Sequence, residues 1–388
     1  MQLSNLSQSI KASLTLSLSA KARAMRARGL DVIALSAGEL DFSPQKEILE
    51  AGKRTIDSDN VRYTSASGMP VLRKSVADKY SQKYGSQLAA ENVIISSGAK
   101  QSLANGLLTL IDPDDEVIIP APYWVSYPEM VKLARGKAVF IDTSSEQGFK
   151  ITPEQIHAAL SSRSKVLLLN SPSNPTGAVY TKKEIEAIAK ILDGTDVNII
   201  SDEIYENLVL DGEYFSFLQS GTEILDNVLV VSGVSKTYAM TGWRIGWAIG
   251  NPQIIAAMGR MQSHQTSNAC TISQYAAIEA LARGDSFSIK VTPIIRKRRD
   301  IALELMKKIP GFEPFIPHGA FYIFCDVRDA IEDRFKSSVE LAEYLLEKAL
   351  VAIIPGEAFG APGFVRISIA ASEEAITEAL GRIGEALR

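Results

Sequence analysis

Runs of apolar residues recur along the chain at 93–96, 116–119, 138–141, 165–170, 197–201 and 227–232, separated by stretches with helical spacing. Several runs, Leu167-Leu168-Leu169 and Val228-Leu229-Val230-Val231 among them, set apolar residues side by side with no polar alternation. That pattern predicts strands buried on both faces. Between two of these runs, Thr181 is followed three places on by Glu184, and Ile185, Ile188, Ile191 and Leu192 then fall on one stripe. Capping-box spacing followed by a helical stripe predicts a crossover helix. The expected fold class is therefore α/β, with a mostly parallel sheet flanked by helices.

The pattern changes near residue 290. A charged helix is predicted around 296–308, strands at 321–326, 351–354 and 364–369, and a terminal helix over 373–387. This C-terminal third reads as a smaller α+β domain. The strand-like 32–36 has no obvious place in the large sheet, so the N-terminal 40 residues are expected to join the small domain. The predicted division is 41–289 for the large domain and 1–40 with 290–388 for the small one. At 388 residues the chain is long for a single core, and two lobes imply a cleft. No internal repeat or low-complexity linker interrupts the pattern.

Composition narrows the possibilities. Lys and Arg total 41 against 45 Asp and Glu, a formal charge of −4, with no charge block that suggests a nucleic-acid face or a membrane anchor. Any anionic ligand must then meet a local cluster of cations. No window approaches the roughly 20 apolar residues that span a bilayer, and the amphiphilic start holds no apolar stretch long enough for a secretory signal. The two cysteines, Cys270 and Cys325, lie far apart without CxxC spacing, which favours a reducing, cytoplasmic setting over a disulfide framework. His157, His264 and His318 show no metal-ligand spacing, so no metal is expected.

Six segments carry candidate chemistry. In Val231-Ser-Gly-Val-Ser-Lys236, a lysine follows a buried strand, small residues precede it, and Arg244 lies eight places on. Burial beside cations lowers an amine's pKa and keeps it nucleophilic, which suits a Schiff-base lysine next to an anion site, although a lysine there is as often a solvated loop residue. Asp202, in Ile199-Ile-Ser-Asp202-Glu-Ile-Tyr205, sits at the carboxyl end of a strand, the edge over which open α/β sheets bind ligands. Its carboxylate could pair a protonated pyridine nitrogen or simply cap the next helix. Asn174 lies in a rigid double-proline loop, Ser171-Pro-Ser-Asn174-Pro-Thr-Gly177. Gly98-Ala99-Lys100 links a strand to a helix through small residues, a backbone suited to phosphate but lacking P-loop or dinucleotide spacing. Trp124, in Pro122-Tyr-Trp124-Val-Ser-Tyr127, could stack on a flat heterocycle or serve as packing. Arg366 stands inside an apolar strand and needs a carboxylate from the protein or from a ligand.

Taken together and in this order, the segments resemble the fold-type I pyridoxal-phosphate aminotransferases, class I and II, from Ala37-Gly-Glu39 to Arg366. The resemblance implies pyridoxal 5′-phosphate as cofactor, held as a Schiff base on Lys236, which also shuttles the substrate α-proton. It implies Asp202 at the ring nitrogen, Tyr205 and Asn174 at the phenolic oxygen, and Trp124 on the ring face. The phosphate would be met by Gly98, Ala99, Lys100, Ser235 and Arg244, with Tyr63 reaching it from the neighbouring subunit of a homodimer. Arg366 would grip the substrate α-carboxylate, assisted by Asn174 and Gly38.

Departures from the family pattern are Leu40 where proline is usual, Gly233 where some relatives carry a phosphate-binding serine, and Tyr127 where one subgroup has histidine behind the aspartate. The stretch Gln265 to Ser273 has no arginine for a distal carboxylate, whereas Lys100, Ser13 and Thr15 match the bacterial-type aspartate subgroup. L-aspartate with 2-oxoglutarate, by a ping-pong route, is therefore the expected substrate pair. Aromatic, prephenate or kynurenine transamination, or a cysteine-S-conjugate β-lyase sharing the cofactor residues, are the alternatives.

Overall fold

The structure is a computed structural model that describes residues 2–59, 61–221, 225–332 and 334–388. Its strands in chain order are β1 Ile33–Ala34, β2 Val93–Ser96, β3 Glu116–Ala121, β4 Lys137–Asp142, β5 Ser164–Asn170, β6 Asn198–Asp202, β7 Val228–Gly233, β8 Gly246–Ile249, β9 Glu313–Pro314, β10 Tyr322–Asp326, β11 Val351–Ala352, β12 Ile354–Pro355 and β13 Phe364–Ser368.

A seven-stranded sheet in the order β2-β8-β7-β6-β5-β3-β4 forms the centre of the fold. The strands from β7 to β4 run parallel, and β8 alone is antiparallel to both of its neighbours. Successive residues of the inner strands enter different cores. Leu167, Leu169, Ile199, Val228 and Val230 pack on one face, while Val166, Leu168, Ile200, Leu229 and Val231 pack on the other. Side chains alternate across a strand, so a sheet covered on both sides needs apolar residues at every position, which is the continuous pattern seen in the sequence. The predicted crossover helix is Lys182–Leu192, with the reciprocal Thr181 and Glu184 cap in place and Ile185, Ile188 and Leu192 buried.

The remaining strands form two smaller sheets. β12-β13-β10-β9 is antiparallel, and β1 pairs in parallel with β11, tying the N-terminal segment to the C-terminal third. One core joins these strands to the helices Ser286–Met306 and Glu373–Ala386, and it also takes in Leu35, Leu40 and Tyr205.

Some predicted elements differ in extent. The strand read at 32–36 narrows to β1, and the one at 351–354 divides into β11 and β12 on either side of Ile353. The charged helix begins ten residues earlier than read, because it continues through Pro293. A proline inside a helix removes one backbone hydrogen bond, which makes such a residue read as a boundary. β8 has no counterpart in the sequence reading, since Gly246-Trp-Ala-Ile is four residues long and follows directly on the segment read as cofactor loop.

Candidate active site

A cleft of about 640 Å³ lies where the carboxyl ends of the parallel strands converge. Trp124 follows β3, Asn170 ends β5 and Asn174 follows it, Asp202 ends β6, and Ser235 and Lys236 follow β7. The opposite wall brings Ser13, Thr15, Gly38, Tyr322 and Arg366 from the two ends of the chain. Ligands of open α/β sheets collect at this edge because the strand ends and helix N-termini leave unpaired backbone donors there.

Lys236 sits on the single helical turn Val234–Thr237, and its Nζ donates to the Gly38 carbonyl. The amine is 5.7 Å from the centroid of the Phe321 ring and, among the described residues, has no carboxylate in ion-pair contact. Burial pulls its pKa down to about 8; the Arg244 and Arg366 charges act in the same direction, while Glu39 and Asp202 oppose them. A nitrogen poised there exchanges protons readily near neutrality.

Asp202 is buried, with Oδ2 accepting from the Tyr127 hydroxyl at 2.7 Å and Oδ1 from the Ile204 amide at 3.3 Å. Burial raises its pKa to about 6 against the pull of those donors. Those donors are neutral and, among the described residues, no cation is in ion-pair contact with this carboxylate, Lys236 acting on it only at longer range, so it lacks the close cationic partner that buried charge normally requires. Trp124 packs edge-on against Tyr127, with centroids 5.4 Å apart, so the tyrosine that supports Asp202 also supports the indole.

Arg366 lies in mid-strand on β13, opposite Phe324 and Ile354, and is 4% exposed. Nη1 donates to Asn174 Oδ1 at 2.8 Å and Nη2 to the Ser36 carbonyl at 3.1 Å, and the guanidinium lies 4.2 Å from the Tyr322 ring centroid. Its Nε is buried without a partner. An unmet donor on a buried cation is costly, and because Arg366 lines the cleft an acceptor from outside the chain could meet it there.

The other end of the cleft is built on glycine. Gly98 has φ +89°, precedes the helix Ala99–Leu110, and a Cβ there would fall 2.5 Å from Arg244 Nη2. Arg244 itself adopts the left-handed conformation at φ 56°, with Nη1 bonded to the Thr241 carbonyl at 3.0 Å. Lys100 Nζ stands 4.8 Å from the Trp124 ring centroid, and burial together with Arg244 lowers its pKa. Ser13 and Thr15 share a 2.7 Å hydroxyl contact at the start of the helix Leu14–Ala27.

The structure brings the sequence-selected residues into this cleft with two exceptions: Gly98 adjoins Arg244 without lining the cleft, and Tyr63 lies elsewhere. Tyr63 is 90% exposed and does not line the cleft of its own chain. Tyr205 reaches the cleft, but its hydroxyl bonds Tyr322 at 3.0 Å, and Asn174 is occupied by Arg366. Several cleft-lining residues escaped the sequence reading, Tyr322, Glu39 and Arg23 among them. Tyr322 looks like any strand aromatic, Glu39 meets Thr241 Oγ1 at 2.8 Å across 202 positions, and Arg23 lines the wall from a helix face with no local motif.

Residues 30–383 match the sequence profile of the family described as aminotransferase class I and II. An aspartate aminotransferase of Bacillus sp. (strain YM-2) is 44% identical over 383 residues, covering 98% of each chain. An aspartate/prephenate aminotransferase of Cereibacter sphaeroides is 42% identical, covering 96% of each. The solved structure of the Thermus thermophilus aspartate aminotransferase with maleate superimposes with a TM-score of 0.95 at 40% identity, over the full length of both chains. Sequence and architecture agree over nearly the whole chain, which belongs to the class I and II aminotransferases of fold-type I.

Proposed function

We propose that the cleft holds pyridoxal 5′-phosphate and moves the amino group of L-aspartate to 2-oxoglutarate, giving oxaloacetate and glutamate. The observation that carries this reading is Lys236, an amine with its pKa drawn down to about 8, held on a backbone carbonyl in the same cleft as a buried carboxylate without a close cationic partner. The residues fit the cofactor. Asp202 suits a protonated ring nitrogen, and the Trp124 face suits the ring. The bare Gly98, the Ala99 and Lys100 backbone, Ser235 and Arg244 suit a phosphate. Tyr205 and Asn174, which line the same cleft, would meet the phenolic oxygen.

When bound, pyridoxal phosphate supplies an aldehyde that condenses with amines and a ring that draws electron density from the substrate α-carbon. Lys236 Nζ would provide the attachment and, once free, would carry the proton from the donor's Cα to the aldehyde carbon of the cofactor, and in the opposite direction when the oxo acid is aminated. Arg366 takes the α-carboxylate, its unpartnered Nε gaining an acceptor, with Asn174 and the Gly38 amide fixing the angle. Ser13, Thr15 and Lys100 receive the second carboxylate. Donor and acceptor use the same groups in turn, so the kinetics are ping-pong.

The relatives named for aspartate support this substrate, and the relative named for prephenate supports prephenate as a second acceptor. Exposed Tyr63 supports a homodimer in which it completes the neighbouring site. The absence of any helix long and apolar enough to cross a membrane among the described residues, together with two free cysteines, supports a cytoplasmic location. The test is the absorption spectrum of the purified protein. The aldehyde-form band should convert to the amine form with aspartate and return with 2-oxoglutarate. A band that ignores aspartate would overturn the substrate, and no band after adding the cofactor would overturn the cofactor.

A further inference from the structure

β6 and β7 carry Asp202 and the approach to Lys236, and their backbone pairing takes in Asp202 but ends short of Lys236. The ladder runs from Ile199↔Val228 to Asp202↔Val231, and a last bond joins the Glu203 amide to the Val231 carbonyl at 2.8 Å. Beyond it, residues 204–207 turn away and the chain from Gly233 enters the Lys236 turn. There side chains take over from backbone. Ser232 Oγ donates to Glu206 Oε1 at 3.0 Å, and Asn207 Nδ2 to Thr237 Oγ1 at 3.3 Å, one residue past Lys236.

The helix Pro70–Tyr84 closes this bridge from outside. Lys83 Nζ binds both halves, Glu206 Oε2 at 3.0 Å and Asn207 Oδ1 at 2.9 Å. Tyr80 and Tyr84 donate to the two oxygens of the same carboxylate, the latter at 2.6 Å. Glu206 is 3% exposed, and four donors from two elements hold it in its charged form, with its pKa lowered to about 2 despite its burial. One helical turn supplies a further tie: Lys79 Nζ reaches the Tyr238 hydroxyl at 3.1 Å, two residues past Lys236.

We propose that Glu206 and Lys83 are positioning residues that fix the Asp202 turn against the Lys236 turn and so set the spacing of the two groups that must act on one small molecule. The proposal rests on the cofactor reading above and deepens it. A site of this kind tolerates about 0.5 Å of misplacement before function falls, and among the described residues no backbone bond joins the turn at 204–207 to the Lys236 turn.

The experiment uses the holoenzyme and four variants: Glu206→Gln, Lys83→Met, the double variant, and Lys74→Met as a control. Among the described residues Lys74 pairs only with exposed Asp78 on the same helix. The double variant removes the buried carboxylate together with its ammonium partner and so guards against a fold lost to one uncompensated charge. The readouts are the dissociation constant of pyridoxal phosphate, the titration midpoint of its absorption band, kcat and KM for aspartate, and the unfolding midpoint. The clamp predicts a roughly tenfold rise in the cofactor constant, a displaced band midpoint, and kcat falling about tenfold with a far smaller change in KM, as expected for misplaced catalytic groups. A cofactor constant, band midpoint and kcat equal to wild type, whatever the loss in unfolding midpoint, would reduce the network to structural support. Wild type that binds no cofactor would instead overturn the functional reading and leave the clamp without an object.

Discussion

Lys236 and Asp202 have pKa values displaced toward each other by burial, the amine downward and the acid upward. For the amine the sign is plain. A pKa lowered from 10.5 to about 8 means that the neutral, nucleophilic form gains population as pH rises through 8, about two units earlier than for a solvated lysine. The rate at which cofactor-free protein captures pyridoxal phosphate should therefore climb with pH and level off above about 8, read as growth of the absorption band. A plateau reached only near 10 would mean that the amine is solvated. At Arg366 the prediction concerns geometry. Arg366→Lys keeps the charge but loses the planar fork and the partnerless Nε, so kcat/KM should fall by about ten- to a hundredfold for every amino donor, the scale of one or two charge-assisted hydrogen bonds. Lys100→Ala should instead raise KM for dicarboxylic substrates alone. An equal loss with alanine as donor would place Lys100 at the phosphate end, toward which its contact with Trp124 leans.

Among elements, the long buried strands and the capped crossover helix were the most legible, because a sheet covered on both faces and a capping box each impose a local pattern. Lys236, Asp202, Asn174 and Arg366 were legible for a related reason. Each breaks the pattern of an apolar strand or its exit, where a polar residue needs a purpose. β8 was not legible, since four residues beginning with glycine carry too little period to read. Nor was the Glu206 network, whose partners Lys83 and Ser232 lie 123 and 26 positions away and look like ordinary polar residues on a helix and a strand. The start of the helix Ala99–Leu110 offers a test at this scale. Gly98→Ala places a methyl group against the Arg244 guanidinium at an unfavourable positive φ. The backbone strain should cost about 1 kcal/mol in the cofactor-free protein, while cofactor affinity falls further because Arg244 must move. Equal losses with and without cofactor would separate this glycine from the phosphate.

At the scale of the whole molecule, we propose that residues 1–40 and 290–388 act as one small domain, a division supported by the β1 and β11 pairing and by their shared core. Glu39 and Thr241 then meet across the division, beside the lysine, as a contact that closing of the cleft would make. The proposed dimer has a sharper consequence. If Tyr63 serves the neighbouring site, mixing Lys236→Ala with Tyr63→Phe subunits should regenerate one complete site per mixed dimer, and activity should exceed the sum of the two separate preparations. Strict additivity after subunit exchange would confine Tyr63 to its own chain.

The antiparallel strand β8 also bears on how the chain reaches its native state. β2 pairs with β8 and with no other strand of the large sheet, in a register that joins Ser96 to Gly246 across 150 positions. Closing so long a loop carries an entropic cost that grows with its logarithm and must be met before the pairing returns any energy. During synthesis, the strand leading to Gly98 therefore waits, an unpaired edge, until the chain has grown past residue 249. Gly98 and Arg244 flank the same end of that late pairing, so the end of the cleft proposed for the phosphate is among the last parts of the large sheet to form. A cofactor able to bind there would then favour chains whose sheet is already complete.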